Sequence, residues 1–227
     1  MSLFRRAMMA AATASGPPAF SYDDIPSQLL RINSLEGSLT GSGGVLTGVT
    51  DVSGAGETVT VTGSPVYTAA DANLNGAPSF RPASGALVTT PNIVRSSVKF
   101  LAVAAYSDVT SLFYFWDQSD TAHGMRVYRL NGTIAGAFGS LAAAGEPVAG
   151  RKRLIANFDT TGRYLYLNGT NLGTPGALAP TGTNGIVWGS ANDGTLAMTT
   201  AFVMACSAPP SAPLLASLEA KLLADFG

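Results

Sequence analysis

Between residues 98 and 116 the chain is apolar on both sides of its alternation. In SVKFLAVAAYSD, Val98, Phe100, Ala102, Ala104 and Tyr106 fall on one side of an extended strand, while Leu101, Val103 and Ala105 fall on the other. LFYFW repeats the pattern, with Leu112, Tyr114 and Trp116 opposed to Phe113 and Phe115. A strand that is greasy on both faces has to be covered on both. One cover is the interior of a β-sandwich, about 10 Å thick. The other must be a helix, a long loop, the N-terminal arm or a second subunit.

The surrounding segments also read as strands. In FDTTGRYLYLNGTNLGT, residues 158–174, Asn168-Gly169 supplies the positive φ angles of a two-residue hairpin turn. Leu165 and Leu167 then face the core if Tyr164 and Tyr166 face out. MRVYRLNGTIAGAF predicts a second hairpin turning at Asn131-Gly132, and RKRLIANFD a strand feeding the first. From Tyr22 to about residue 90 the chain is rich in Gly, Ser, Thr and Val, which predicts short strands between glycine turns; in ETVTVTG, Val59 and Val61 alternate with threonines. NGIVWGS and LAMTTAFVMACS supply the last two strands.

Both ends differ from this pattern. SAPPSAPLLASLEAKLLADFG predicts a helix over 211–226, with Ser211 at its cap, Pro213 in its first turn, and Leu214, Leu215, Leu218, Leu222 and Phe226 on one face. At the other end Pro17 and Pro18 in SGPPAF set an extended linker. Residues 1–21 are therefore read as an arm and 22–227 as one all-β domain with a terminal helix. Leu3, Phe4, Arg5, Arg6, Met8 and Met9 are the arm residues expected to dock on a partner. The same stretch, ending in Ala12-Thr13-Ala14, also has the outline of a secretory leader.

Composition sharpens the question of partners. The 227 residues are 12% charged and 46% hydrophobic, against roughly 25% charged in ordinary soluble domains. So little charge leaves a free surface poorly coated, which favours a subunit hidden against neighbours, a homo-oligomer or a component of a larger assembly. No apolar run approaches the roughly 20 residues that cross a bilayer as a helix, so no membrane partner is expected. Thirteen basic and 14 acidic residues give no basic stripe for phosphate, so neither is nucleic acid. The single cysteine, Cys206, sits in the apolar run AFVMAC and reads as a buried, inert thiol.

The order of these pieces carries a family resemblance. LNGAPSFRPASGALVTT, residues 74–90, resembles the NG-P-x-x-(R)-F-x-G-S strand that opens many laminin-G-like domains of bacteriophage and bacterial surface proteins. The hairpin at 163–173 is similar to their LYVNG-x-x-x-G signature. LEAKLLADFG, residues 218–227, resembles their closing LE-x-YLA-x-K-x-G helix. DIPSQLLRINSLEG departs from the aromatic, aspartate-containing strand such proteins carry at that place. The resemblance spans residues 22–227 and implies a concanavalin-like, laminin-G-like antiparallel β-sandwich jelly roll. With the FRRAMM start, which resembles the opening of many phage tail and appendage proteins, it implies a virion protein.

Candidate chemistry is sparse. Concanavalin-like glucanases place two glutamates on one strand, whereas Glu36, Glu57, Glu146 and Glu219 are scattered. Asp117 and Asp120 in FWDQSDTAHG are three apart, which puts them on opposite faces of a strand. His123 follows them without the G-x-S-x-G elbow of a hydrolase nucleophile, and one histidine with one cysteine cannot assemble a zinc site. No cofactor is expected. Calcium at the sandwich rim, on Asp117, Asp120, Asn192 and Asp193, is the alternative that the resemblance implies. Both Asn-Gly-Thr triplets match a glycosylation sequon, and hairpin geometry accounts for them.

Two functions follow as expectations. The first is a non-enzymatic bacteriophage structural protein, decorating a capsid or forming part of a tail or fibre, located in the virion and associating with itself and other virion proteins. The second is a carbohydrate-binding adhesin for host surface glycan, with Trp116, Tyr164 and Tyr166 stacking on sugar faces.

Overall fold

The computed structural model describes residues 19–82, 87–90, 93, 97–107, 127–130, 133–136, 150–157, 159, 164–173, 186–188 and 198–227. Fifteen strands and one α-helix lie among them: β1 (Gln28–Asn33), β2 (Leu39–Ser42), β3 (Val45–Val49), β4 (Thr60–Thr62), β5 (Val66–Asp71), β6 (Ala77–Arg81), β7 (Leu87–Thr90), β8 (Phe100–Ser107), β9 (Val127–Leu130), β10 (Thr133–Gly136), β11 (Gly150–Asn157), β12 (Tyr164–Leu167), β13 (Thr170–Gly173), β14 (Ile186–Trp188), β15 (Met198–Cys206) and α1 (Ala212–Phe226). The fold is an antiparallel β-sandwich. Its large, curled sheet runs β13-β12-β11-β8-β15-β6-β5-β3-β2, and β1 pairs with the far half of β15, next to β6. β14-β7-β4 form a second sheet and β9-β10 a hairpin.

The expected turns hold this register. Asn168 and Gly169 take φ of 51° and 81°, values that asparagine and glycine tolerate, and join β12 to β13. Gly43 and Gly44, at 57° and 79°, do the same between β2 and β3. Leu130 pairs with Thr133, the register of a two-residue turn, although Asn131 and Gly132 lie outside the described residues.

The double-sided strand is where the sequence places it. Leu101, Val103 and Ala105 of β8 join Leu154, Ala156, Leu165, Leu167, Val203 and Ala205 in the inner core, against which Val59 and Val61 also pack. Phe100, Ala102 and Ala104 join Ile155, Phe202, Met204 and Cys206 on the outer face. Val98 differs from expectation: it precedes the strand, which starts at Phe100, and packs into the inner core. The LFYFW segment lies outside the described residues.

The chain covers this outer face itself. Leu218, Leu222 and Phe226 of α1 are fully buried on it, with Leu214 and Leu215 packed at the edge. Ser211 occupies the cap position with extended backbone, yet its side chain makes no capping hydrogen bond. The 3-10 turn Tyr22–Asp24 completes the seal. Tyr22 stacks on Phe202 with ring centroids 4.8 Å apart, and Phe202 on Phe226 at 5.8 Å. The Tyr22 hydroxyl donates to Asp225 at 2.8 Å, and Lys221 lies 5.1 Å over the Tyr22 ring while pairing with Asp225. Burial, with the bond to Asp225 behind it, drives the Tyr22 phenol far above its usual range.

Buried polar groups pin the remaining loops. Arg31, 3% exposed, donates to Asp23, Glu36, Gln28 and the Val52 carbonyl. Asp51 accepts from the backbone N–H groups of Arg31, Ser53 and Glu57 and from the Ser53 hydroxyl. Burial works to raise its pKa, and these four bonds outweigh that and hold it below the usual carboxylate range.

Candidate functional site

Helix α1 lies over β8 and β11, and beyond it the outer face of the sheet changes character. Arg153, Ile155 and Asn157 alternate onto this face from β11, and cross-strand register puts Tyr166 opposite Ile155 and Tyr164 opposite Asn157. Tyr166 in turn pairs with the exposed Asn171 of β13. Arg153 is locked at the turn end of the strip, where its N–H donates to Asn168 Oδ1 at 2.9 Å and its carbonyl accepts from the Asn168 N–H.

The result is a strip of half-buried tyrosines edged by charge. The Tyr164 and Tyr166 rings meet edge to face, 5.3 Å between centroids, with interplanar angle 76°. The Tyr164 hydroxyl is buried and has no hydrogen-bond partner among the described residues. Burial, then the neighbouring Tyr166 and Glu219, pushes its pKa up to about 12, so at neutral pH it is a donor and not a base. Glu219 belongs to α1, which packs on β11. Burial raises the Glu219 pKa and Arg153 opposes the rise; burial lowers the Arg153 pKa and Glu219 opposes the fall. Each is thus partly buried and within electrostatic reach of the other.

Half-exposed rings, a guanidinium with five donors, a carboxylate and a side-chain amide suit recognition of a polyhydroxylated ligand. Among the described residues of the strip, nothing pairs a nucleophile with a base. Among the described residues no three His, Cys, Asp or Glu side chains gather to hold a metal ion. No described helix is long and apolar enough to cross a membrane.

Of the residues singled out from sequence, Tyr164 and Tyr166 lie together here. Trp116, Asp117, Asp120, His123, Asn192 and Asp193 fall outside the described residues, as do the arm residues Leu3, Phe4, Arg5, Arg6, Met8 and Met9. Cys206 is buried, and desolvation pushes its thiol up to about 12. Sequence reasoning missed Arg153, Glu219 and Asn171. Period-2 counting from Ile155 would have put Arg153 on the tyrosine face once β11 and β12 were paired. No sequence signal brings Glu219 beside it.

No protein-family model matches the chain, and no curated protein sequence matches it. Solved structures do. Domain 4 of AbnA, a GH43 extracellular arabinanase from Geobacillus stearothermophilus in complex with arabinotriose, superposes with a TM-score of 0.61 at 12% identity, over 85% of this chain and 98% of that domain. A structure of botulinum neurotoxin type C, whose cell entry depends on interaction with two ganglioside molecules, gives 0.61 at 11% identity, over 88% of this chain and 52% of that one. Trypanosoma rangeli sialidase in complex with sialic acid gives 0.53 at 12% identity, over 85% and 32%. This chain is thus similar to an entire arabinanase domain but to a half or a third of the other chains. At such identities the likeness shows a shared β-sandwich fold.

Proposed function

We propose that the chain is a non-catalytic carbohydrate-binding module acting as an adhesin for surface glycan. The observation that carries this reading is the outer-face strip, where Tyr164 and Tyr166 lie beside Arg153, Glu219 and Asn171. An aromatic surface bordered by both donors and acceptors matches a sugar ring, which is apolar on its face and polar at its edge. Neighbours that share the sandwich include structures solved with arabinotriose and with sialic acid, which is in keeping with it. The test is a glycan array probed with the full chain. Binding should appear and should be lost in Tyr166→Ala; an array on which the wild-type chain binds nothing would sink the reading.

A second reading, a structural subunit of a bacteriophage particle, is favoured by the low charge content of 12%. Leu35 and Leu223, at 50% and 52% exposure, and Val45 and Val66 at 36% and 38%, are large apolar side chains left in solvent. The two readings are compatible, since an appendage can also bind sugar. Sedimentation tests the second: a homo-oligomer is expected, weakened when residues 1–20 are deleted, and a monomer at high concentration would remove its support.

A further inference from the structure

Resting on the carbohydrate reading, we propose that the outer-face strip takes the end unit of a soluble glycan chain, seated on Tyr166 in a corner walled by Tyr164 and helix α1. The angle between the two rings comes first. Tyr164 and Tyr166 stand two apart on one face of β12, with their planes 76° apart and their centroids separated by 5.3 Å. A sugar lying flat on one ring therefore meets the other as a wall. Two such rings make no level platform, which is what the regular surface of an insoluble polysaccharide would need for stacking.

The sheet supplies the second wall. On one side of β12 lies β11, on which α1 packs, and both tyrosines rest against the cluster that α1 completes with Leu218, Leu222 and Phe226. On the other side lies β13, the outermost described strand, where Thr170, Asn171 and Gly173 are exposed, as is Gly169 in the turn beyond Tyr166. Tyr166 is thus bounded toward Tyr164 and toward the helix, and open toward the turn and toward β13. A linear chain enters and leaves a sugar unit by roughly opposite edges. Each open side here has a closed one opposite it, so an internal unit would drive its chain into Tyr164 or into α1. An end unit has a single linkage and leaves over β13 or the turn. Asn171, directly across from Tyr166, meets it there. The Asn171 Oδ1 already accepts from the Gly173 N–H at 2.8 Å, which leaves its NH2 group to donate outward to a sugar hydroxyl.

The experiment uses the full chain on linear cello-, manno-, xylo-, galacto- and arabino-oligosaccharides, each from disaccharide to hexasaccharide, and on insoluble cellulose and mannan. For a sugar that binds, affinity should stay within about twofold along its series, because every chain offers one such end. The insoluble polymers should not retain the protein. Tyr164→Ala takes away one wall, so the disaccharide should weaken and affinity should begin to rise with length. Tyr164→Phe keeps the ring and should keep the series level. A merely structural role for Tyr164 would weaken every length alike. A wild-type affinity that climbs about tenfold or more with length, retention on the insoluble polymers, or a series still level in Tyr164→Ala would overturn this inference while the carbohydrate reading stands. If the wild-type chain binds none of these glycans and nothing on the wider array, both fall.

Discussion

The outer face of the large sheet has two halves that solve different problems. Over β8 and β15 the strands offer Ala102, Ala104, Met204, Cys206 and the flat ring of Phe202, and α1 closes down on them with Leu218, Leu222 and Phe226. Over β11 to β13 the same face offers Tyr164, Tyr166, Arg153 and Asn171, and the helix contributes Glu219 at its margin. Small side chains admit a helix at close range; tyrosines and a guanidinium hold it off and keep a polar edge. The covered half thus serves stability, and the open half is where recognition can occur.

Phe226→Ala attacks the covered half most directly. Phe226 is 1% exposed and packs against Phe202, so truncation should cost about 3–5 kcal/mol, read from the denaturation midpoint. Cys206 reports the same event chemically. Its thiol, pushed up to about 12 and fully buried, should resist a thiol-specific reagent at pH 8 in the wild-type chain. In Phe226→Ala labelling should accelerate by about a hundredfold or more, the factor to which that loss of stability converts when opening precedes reaction. Equal labelling rates in the two proteins would mean that α1 does not seal this half.

Ala104→Leu probes the same contact from the sheet. Ala104 is fully buried, pairs with Phe202 across β15 and with Arg153 across β11. Added methylenes there must push on the helix, at a cost of about 1–3 kcal/mol. Because Arg153 is its neighbour, the substitution should also disturb the open half, which glycan binding would register. A neutral effect on stability would show that the small residues of β8 are not what lets the helix approach.

How much of this was legible beforehand depends on whether the information was local. Alternation in SVKFLAVAAYS demanded two covers, and both exist, but the pattern could not say that α1 supplies the outer one. An apolar helix face with Leu218, Leu222 and Phe226 would serve equally well against another subunit. The Asn168-Gly169 turn and the inward Leu165 and Leu167 fixed the direction of Tyr164 and Tyr166 correctly, because a two-residue turn leaves register no freedom. The assignment of Val98 to the outer face failed because period-2 counting was carried past the end of the strand. Arg153 and Glu219 come from distant segments, and only the docking of α1 on β11 brings them together.

The smallest effect decides whether the open half was built for stability at all. Tyr164→Phe removes one oxygen from the edge-to-face pair and leaves both rings in place. If the hydroxyl served packing, it would be paired, and its loss would cost about 0.5–1.5 kcal/mol as for an ordinary hydrogen bond. It has no partner among the described residues while being buried, so removing it relieves a desolvation penalty. Thermal unfolding should therefore show Tyr164→Phe as unchanged or more stable by up to about 1 kcal/mol. A clear loss of stability would make Tyr164 a structural tie like Tyr22, whose hydroxyl is bonded to Asp225, and the contrast between the two halves would narrow to Arg153, Tyr166 and Glu219.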